Sequence, residues 1–144
     1  MHKIILAGEN SILIYFGDKI DNSLPKNIAN FANALKNQFS DVVIDLTPSY
    51  TSLLVSYDLS KASYFKFSAD VQAILDGFEF SDSNQQSNLI HIPVYYGFET
   101  GLDLERLLAE KNISLDEFIQ LHSSNEYLVH AIGFSPVFAF FGRG

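Results

Sequence analysis

The order of strand-like and helix-like segments in the first half of the chain is the feature that most limits which folds it can adopt. Lys3–Gly8 and Ser11–Asp18 are short and rich in aliphatic or aromatic residues, which predicts two strands joined by a turn. A segment with helical periodicity follows, then two more predicted strands over Asp41–Asp58, and then a second helix. A sheet with both helices on one face buries both apolar stripes. The sequence therefore predicts an α+β fold, with a ferredoxin-like split βαβ arrangement as the leading candidate.

Both predicted helices have one apolar face. Pro25 lies in the first turn of the first helix, where its missing N–H is tolerated. The apolar face of this helix consists of Ile28, Phe31, Ala32, Leu35 and Phe39, and its polar face of Asn27, Asn30, Lys36 and Asn37. The second helix is predicted to begin at Ser68 as N-cap, although Ser60 or Ser63 could open a helical turn before it. Its inward residues are Val71, Ile74, Leu75 and Phe78. In the third strand, Val42, Ile44 and Leu46 are predicted to face the helices.

The second half of the chain begins after a polar segment, Glu79–Asn88, which we interpret as a linker. Leu89–Gly97 predicts a strand, with Pro93 favouring an edge position or a bulge. Two short helices follow, one capped by Asp103 and one opened by the capping box of Ser114 and Glu117. The chain then predicts a strand, a loop and the entry into another strand.

Charge and composition exclude several classes of function. The formal net charge of −8 at pH 7 opposes binding to nucleic acids and to anionic membrane surfaces. The chain contains no cysteine, which excludes disulfides, zinc–thiolate sites and thiol nucleophiles. Its four histidines show no helical i, i+4 pair, so no metal site is predicted. We see neither a signal peptide nor an apolar run of membrane-spanning length, and we therefore expect a cytoplasmic, soluble protein.

Several motifs in one order resemble the KipI-like family, also called the PxpB family of 5-oxoprolinase subunits and labelled allophanate hydrolase subunit 1. "AGENSILIYFGDKID" is similar to the opening strand pair of that family, and "DLTPSYTSLLVSYD" to a second pair. The segment Ile92–Gly142 is similar to a longer family stretch. That stretch has an isoleucine-proline-valine strand, a tyrosine-glycine turn, a histidine-serine after the second helix and a glycine-phenylalanine-x-proline loop.

The resemblance implies a domain organisation and an activity. It implies a ferredoxin-like domain over residues 1–82 and the start of a cyclophilin-like β-barrel over residues 83–144, most of the barrel being absent. It also implies ATP-dependent opening of 5-oxoproline to glutamate, performed with a KipA/PxpC-like subunit and a PxpA-type subunit. No cofactor is expected on this chain, while ATP is expected in the full complex. The alternatives are a KipI-type inhibitor of a sensor histidine kinase and a non-catalytic interaction fragment that self-associates.

The same resemblance suggests site residues at the subunit interface. The catalytic candidates are Glu99 and His122, and the substrate-binding candidates are Tyr96, Gly133, Phe134, Pro136 and Phe138. Each has a structural alternative. Glu99 could be a solvated carboxylate, and Asp103 beside it a helix cap. His122 could serve only as a favourable residue at a helix C-terminus. Tyr96 could be a half-buried aromatic, and the Gly133–Phe138 loop could be barrel core.

The apolar end of the chain predicts a covered surface. Each of its large side chains would be stabilised by roughly 1.5–3 kcal/mol on full burial. This set comprises Leu128, Val129, Ile132, Phe134, Val137, Phe138, Phe140 and Phe141. The part after the linker is too short to close a barrel around them, so the chain looks cut in mid-domain. We expect the first domain, a second copy of the chain or a partner subunit to cover these residues.

Overall fold

The computed structural model describes residues 2–80, 88–133 and 138–143 of the chain. Its helices are α1 (Leu24–Gln38), α2 (Tyr64–Gly77), α3 (Leu104–Lys111) and α4 (Leu115–Ser123). Its strands are β1 (Lys3–Gly8), β2 (Ser11–Tyr15), β3 (Val43–Ser49), β4 (Ser52–Tyr57), β5 (Tyr127–Ile132) and β6 (Ala139–Arg143). The predicted α+β class is confirmed. None of the helices within the described ranges is long and apolar enough to span a bilayer.

The chain divides into two compact units. The first consists of Met1–Asn84 and Leu128–Gly142, and the second of Gln85–Tyr127 with Arg143–Gly144. The domain boundaries predicted from the resemblance, 1–82 and 83–144, stay a prediction. The candidate loop residues Gly133 and Phe138 belong to the first unit, whereas Tyr96, Glu99 and His122 belong to the second.

A four-stranded antiparallel sheet with the order β1-β2-β4-β3 forms the framework of the first unit. Both β2 and β3 run antiparallel to β4, which lies between them, so β2 and β3 are parallel to each other. Helix α1 connects these two parallel strands. The segment β2-α1-β3 is therefore a βαβ unit whose strands are separated by a third strand.

Both helices of the first unit pack on the same face of this sheet, as the sequence predicts. Alternate residues of the central strands are fully buried, because side chains of a strand point to opposite faces in turn. The fully buried side chains are Ile12, Ile14, Ile28, Phe31, Leu35, Leu53, Val55, Tyr57, Phe67, Val71 and Leu75. All of them belong to one apolar cluster. At roughly 1.5–3 kcal/mol for each side chain, this cluster is the main source of stability for the first unit.

Two predicted side-chain directions in the first unit are wrong. Ile44 is 65% exposed, because a β-bulge between Val43 and Asp45 adds a residue to β3 and interrupts the expected alternation there. Val43 packs against the core instead. Asn27, placed on the polar face of α1 by its spacing, is buried there.

Helix α2 begins earlier than its predicted N-cap. Ser63 is the N-cap and accepts a hydrogen bond from the backbone N–H of Lys66. Ser68 instead lies inside the helix and donates to the carbonyl of Phe65. The earlier start adds Phe67 to the buried face, which the sequence analysis missed.

The predicted strand over Leu89–Gly97 does not form, and this segment has no regular secondary structure. No strand in the described ranges pairs with it, so its backbone groups lack a ladder partner. The two helices of the second unit form as predicted. Ser114 and Glu117 make the reciprocal capping box of α4. Asp103 is the N-cap residue of α3 but makes no side-chain capping bond.

The strands β5 and β6 form a separate two-stranded sheet. The backbone N–H of Gly133 donates to the carbonyl of Phe138 at 3.0 Å and closes the connection between them. The large apolar side chains of this segment are 36–60% exposed at Val129, Ile132, Phe138, Phe140 and Phe141. The chain by itself leaves these side chains partly exposed, and their coverage by a second copy or a partner subunit stays a prediction. Phe134 and Val137 lie outside the described residues.

Candidate functional site

Two of the predicted site residues meet in the second unit, although 26 positions separate them in the sequence. The hydroxyl of Tyr96 lies 2.5 Å from Nδ1 of His122. Tyr96 lies in the irregular segment before α3, and His122 in the last turn of α4. A cation is favoured at this end of a helix, because the last carbonyl groups carry partial negative charge. The hydrogen bond between Tyr96 and His122 joins a phenol to an imidazole, and both groups can donate or accept a proton.

Two further aromatic residues fix the orientation of the His122 ring. Phe118, one helical turn earlier, stacks on the imidazole with ring centroids 6.0 Å apart and planes 7° from parallel. Tyr96 meets the imidazole edge-on at 81°. Tyr127 contacts the ring at 5.7 Å, and its hydroxyl donates to the backbone carbonyl of His122 at 3.1 Å. The imidazole thus has one packed orientation while His122 stays exposed.

Glu99, the other catalytic candidate, pairs with a tyrosine that the sequence analysis did not select. The hydroxyl of Tyr95 donates to Oε1 of Glu99 at 2.6 Å. This hydrogen bond lowers the pKa of Glu99 from its ordinary value and raises the pKa of Tyr95. Gly97 allows the pair to form, because a Cβ at this position would lie 2.5 Å from Tyr95 and 2.6 Å from Glu99. The four-residue spacing of Tyr95 and Glu99 indicates a contact only in a helix, so the sequence carries no signal for this pair in an irregular segment.

An open groove of about 440 Å³ lies beside these two pairs. It is lined by Tyr95, Tyr96, Gly97, Thr100, Gly101, Leu102, Asp103, Leu104, Leu107 and Phe118. Leucine and aromatic side chains form most of its wall, so the groove suits a ligand with an aliphatic body. Neither Glu99 nor His122 is among the described residues that line it. Each of them is hydrogen-bonded to a tyrosine that lines the groove, Glu99 to Tyr95 and His122 to Tyr96.

Charged pairs, rather than a capping bond from the N-cap side chain, are found at the start of α3. Arg106 contacts Asp103 at 3.4 Å and Glu110 at 2.8 Å. All three side chains are well exposed, so each pair contributes little to stability. Asp103 occupies the N-cap position and lines the groove, but the prediction that its side chain caps α3 is wrong.

The predicted loop site is described only at its two ends. Gly133 and Phe138 pair through their backbones, as given above. Phe138 also contacts Phe140 edge-on, with ring centroids 5.1 Å apart. Phe134 and Pro136 lie outside the described residues. The role of this loop in binding substrate stays a prediction.

His130, in β5, is a buried histidine. It stacks on Tyr50 with ring centroids 5.8 Å apart and planes 15° from parallel. Neither ring nitrogen has a hydrogen-bond partner within the part of the chain that the structure describes. Gly142 makes room for the ring, because a Cβ there would overlap the imidazole. The described residues contain no cluster of three or more His, Asp or Glu side chains that could hold a metal ion.

Comparisons with known proteins place these features in a family context. The model of the family described as "Carboxyltransferase domain, subdomain C and D" matches residues 2–144. The 5-oxoprolinase B subunit of Bacillus subtilis (strain 168) is 29% identical over an alignment 154 residues long. The alignment covers 98% of this chain and 62% of that protein. The 5-oxoprolinase B subunit of Escherichia coli O157:H7 is 42% identical over 57 residues, which cover 40% of this chain and 26% of that protein.

A solved structure has a fold similar to that of this chain. The protein TTHA0988 matches with a TM-score of 0.73 and 25% sequence identity over 91% of this chain and 25% of that one. The chain thus spans 62% of the length of the Bacillus subtilis relative and a quarter of the solved protein.

Proposed function

The chain belongs to the carboxyltransferase-domain family, subdomain C and D, and we propose on this basis that it acts as the PxpB-type subunit of an ATP-dependent 5-oxoprolinase. The resemblance to the PxpB family of 5-oxoprolinase subunits, first indicated by the sequence motifs, is confirmed. The observation that carries the proposal is the match to the Bacillus subtilis protein, which extends over 98% of this chain. Relatives with this name favour the hydrolase role over a kinase inhibitor.

The proposed reaction is the hydrolysis of a five-membered lactam. Water adds to the ring carbonyl, the ring C–N bond breaks, and glutamate leaves with a new carboxylate and a new amino group. We expect this chain to act with a KipA/PxpC-like subunit and a PxpA-type subunit, with ATP bound in the assembled complex. Because the chain spans only part of the length of its relatives, we expect little activity from it alone.

Tyr96, Glu99 and His122 are the residues that we assign to substrate handling. Support comes from the two hydrogen-bonded pairs, Tyr95 with Glu99 and Tyr96 with His122, beside one groove. The largely apolar wall of the groove suits the methylene groups of 5-oxoproline. We also keep the loop between Gly133 and Phe138 as a substrate-binding candidate.

The finer fold assignments are part of the same proposal. A ferredoxin-like first domain is supported by the βαβ unit whose parallel strands β2 and β3 are separated by β4. For the second domain we propose the start of a cyclophilin-like barrel, to which β5 and β6 would contribute. The exposed apolar side chains of these two strands support self-association or coverage by a partner subunit.

The test is glutamate formation from 5-oxoproline and ATP. This chain, and a version extended to the length of its relatives, are each mixed with the KipA/PxpC-like and PxpA-type subunits. We expect ATP-dependent glutamate formation with the extended version and much less with the present chain. Omission of ATP and omission of each partner are the controls. Absence of glutamate from the complex with the extended version would refute the proposed function.

A further inference from the structure

We propose that Glu99 fixes the direction in which the Tyr95 hydroxyl bonds, so that Tyr95 meets a ligand in the groove only as a hydrogen-bond acceptor. The groove then selects a small ring that presents an N–H donor to Tyr95. The lactam N–H of 5-oxoproline is such a donor, and in this respect the inference rests on the proposed function. Glu99 is thereby a positioning residue that acts through Tyr95, not a group that touches the substrate.

The direction of the hydrogen bond follows from the chemistry of its two partners. The Tyr95 hydroxyl donates to Oε1 of Glu99 at 2.6 Å. An ionised carboxylate can only accept, whereas a phenol has one proton and two lone pairs. This bond lowers the pKa of Glu99 and raises the pKa of Tyr95, so Glu99 stays ionised and Tyr95 keeps its proton at neutral pH. With its one proton directed at Glu99, Tyr95 offers a ligand only the lone pairs of its oxygen.

Packing around Gly97 holds the two side chains together in addition to the hydrogen bond. Gly97 is buried, and a Cβ at this position would lie 2.5 Å from Cε1 of Tyr95 and 2.6 Å from Oε2 of Glu99. Both side chains therefore cover the same α-carbon. The carbonyl of Gly97 accepts from the backbone N–H groups of Thr100 at 3.1 Å and Gly101 at 2.8 Å. Glu99 lies inside this hydrogen-bonded turn, which restricts where its backbone can place the carboxylate.

The groove places Tyr95, but not Glu99, within reach of a ligand. Tyr95 and Gly97 line it, and Glu99 is not among the described lining residues. The Tyr95 atom closest to Gly97, Cε1, neighbours the carbon that bears the hydroxyl, so the hydroxyl end of the ring lies at the wall of the groove. Asp103 lines the groove as well, and its carboxylate can likewise only accept. A ring that directs an N–H at this wall therefore finds acceptors, whereas a ring with an oxygen there leaves acceptors facing one another.

The first test reads the pair in the chain itself, without any ligand. Carbon-13 NMR of the glutamate carboxyl groups, followed through an acid titration, measures the pKa of Glu99. Tyr95→Phe removes the phenol proton but keeps the ring, and it should raise the pKa of Glu99, because loss of the hydrogen bond disfavours the ionised carboxylate. Tyr15→Phe is the control, because Tyr15 lies in β2 of the first unit, and it should leave the pKa of Glu99 unchanged. An unchanged pKa of Glu99 in Tyr95→Phe would overturn the proposal.

The second test compares two ligands that differ in one ring atom. 5-Oxoproline has an N–H where the lactone 5-oxotetrahydrofuran-2-carboxylate has an oxygen, and both carry the same carboxylate. NMR titration of the chain should show that the lactam binds about tenfold more tightly than the lactone. Tyr95→Phe should reduce this preference to within about threefold, and Tyr15→Phe should leave it unchanged. Equal binding of the two ligands, no binding of either, or a preference that survives in Tyr95→Phe would overturn the proposal.

Glu99→Gln tests whether the carboxylate sets the direction of the bond. The amide has the same size, but it can donate to Tyr95 as well as accept from it, so the phenol proton becomes free to face a ligand. The preference for the lactam should again fall to within about threefold. In the assembled complex, KM for 5-oxoproline should rise about 3- to 10-fold with kcat changed less than about threefold. A loss of kcat above about tenfold would show that Glu99 takes part in the chemistry and would refute the positioning role.

The ligand comparison is independent of the glutamate assay that tests the proposed function. Glutamate formation by the extended complex, without a preference of the chain for the lactam, would refute this inference and leave the proposed function intact. A preference for the lactam without glutamate formation would refute the proposed function, while the role of Glu99 and Tyr95 in the groove would stand.

Discussion

The sheet of the first unit and the site region of the second unit are stabilised in different ways. Eleven side chains of the first unit are almost completely removed from water in one cluster. Between residues 88 and 127, Gly97 and Leu104 are the only described residues that are buried. The second unit instead relies on the capping box of α4, the pairs of Arg106 and the aromatic contacts around His122.

The candidate site therefore depends on local bonds rather than on a core. Each exposed hydrogen bond or ion pair contributes about 1 kcal/mol or less, whereas each buried aliphatic or aromatic side chain contributes roughly 1.5–3 kcal/mol. The site region is therefore expected to open more readily than the sheet. Contact with the partner subunits that we propose would stabilise it, because ligand or partner binding stabilises the state that binds.

Hydrogen exchange gives the largest expected contrast between the two units. Backbone amides of β4, such as those of Leu53 and Val55, should exchange at least about 100-fold more slowly than amides of α4 such as that of Phe118, after correction for sequence. The amide of Phe118 is bonded to the carbonyl of Ser114, so a hydrogen bond alone does not explain the difference. Equal protection in β4 and α4 would contradict the comparison.

A pair of phenylalanines on α2 tests the weight of the core. Phe67 is buried against Tyr57 and Phe39, whereas Phe65 on the same helix is 83% exposed. We expect Phe67→Ala to lower the free energy of unfolding by about 3–5 kcal/mol, because it leaves a cavity. Phe65→Ala is the matched control, with an expected change within about 0.5 kcal/mol. Urea unfolding followed by circular dichroism measures both, and similar losses would contradict the assignment of the core.

Two glycines test the close packing of His130 in the first unit. Gly142→Ala should lower the free energy of unfolding by about 1–3 kcal/mol, because its Cβ would overlap the His130 ring. Gly133→Ala is the control, since no atom of the described residues other than its chain neighbours lies within 4 Å of the added Cβ. In the double variant His130→Ala with Gly142→Ala, the cost of the added methyl group should largely disappear. A cost that persists without His130 would show that the ring is not the cause.

The capping box tests whether local bonds hold the site region. Ser114→Ala removes the hydroxyl that accepts from the backbone of Glu117, and we expect a loss of about 1 kcal/mol in the local stability of α4. Loss of order at the end of α4 should also weaken the contact between Tyr96 and His122, which NMR of the imidazole can follow. Ser68→Ala is the control, because Ser68 lies inside α2 and caps nothing. An unchanged exchange rate in α4 would show that the cap is dispensable.

The pH dependence of α4 is the smallest expected effect. The backbone N–H of Ser114, followed by its hydroxyl, holds the pKa of Glu117 below its ordinary value of 4.5. A lowered pKa in the folded state means that Glu117 stabilises α4 above pH 4.5 and that this contribution is lost as pH falls through the lower folded value. Amide exchange in α4 should therefore accelerate below about pH 4.5 relative to its intrinsic rate. Glu117→Gln should remove most of this dependence, and an identical profile in both proteins would contradict it.

Regular periodicity made the first unit largely predictable. The buried faces of α1 and of the central strands follow from spacing alone, as Ile28, Phe31 and Leu35 illustrate. Ile44 could not be placed, because a bulge is set by pairing with a distant strand rather than by local sequence. Ser63 and Ser68 are both acceptable caps, and only the packing of Phe67 distinguishes them.

The second unit was predictable at its helices but not in its extended segment. Leu89–Gly97 has the composition of a strand, yet strand formation needs a partner, which the local sequence does not reveal. Family motifs selected Tyr96 and His122 individually, while their contact depends on the packing of α4 against the segment before α3. Tyr95 was missed because its partner Glu99 was considered only together with Asp103.

The irregular outer strands of the four-stranded sheet limit how copies of this protein can stack. The register of β1 shifts between Leu6 and Gly8, and that of β3 between Val43 and Asp45, while Pro48 removes an amide donor from β3. Neither margin offers an unbroken row of amides and carbonyls, which disfavours pairing of copies edge to edge through this sheet. Concentrated solutions should therefore associate through the exposed apolar side chains of β5 and β6 rather than form amyloid filaments.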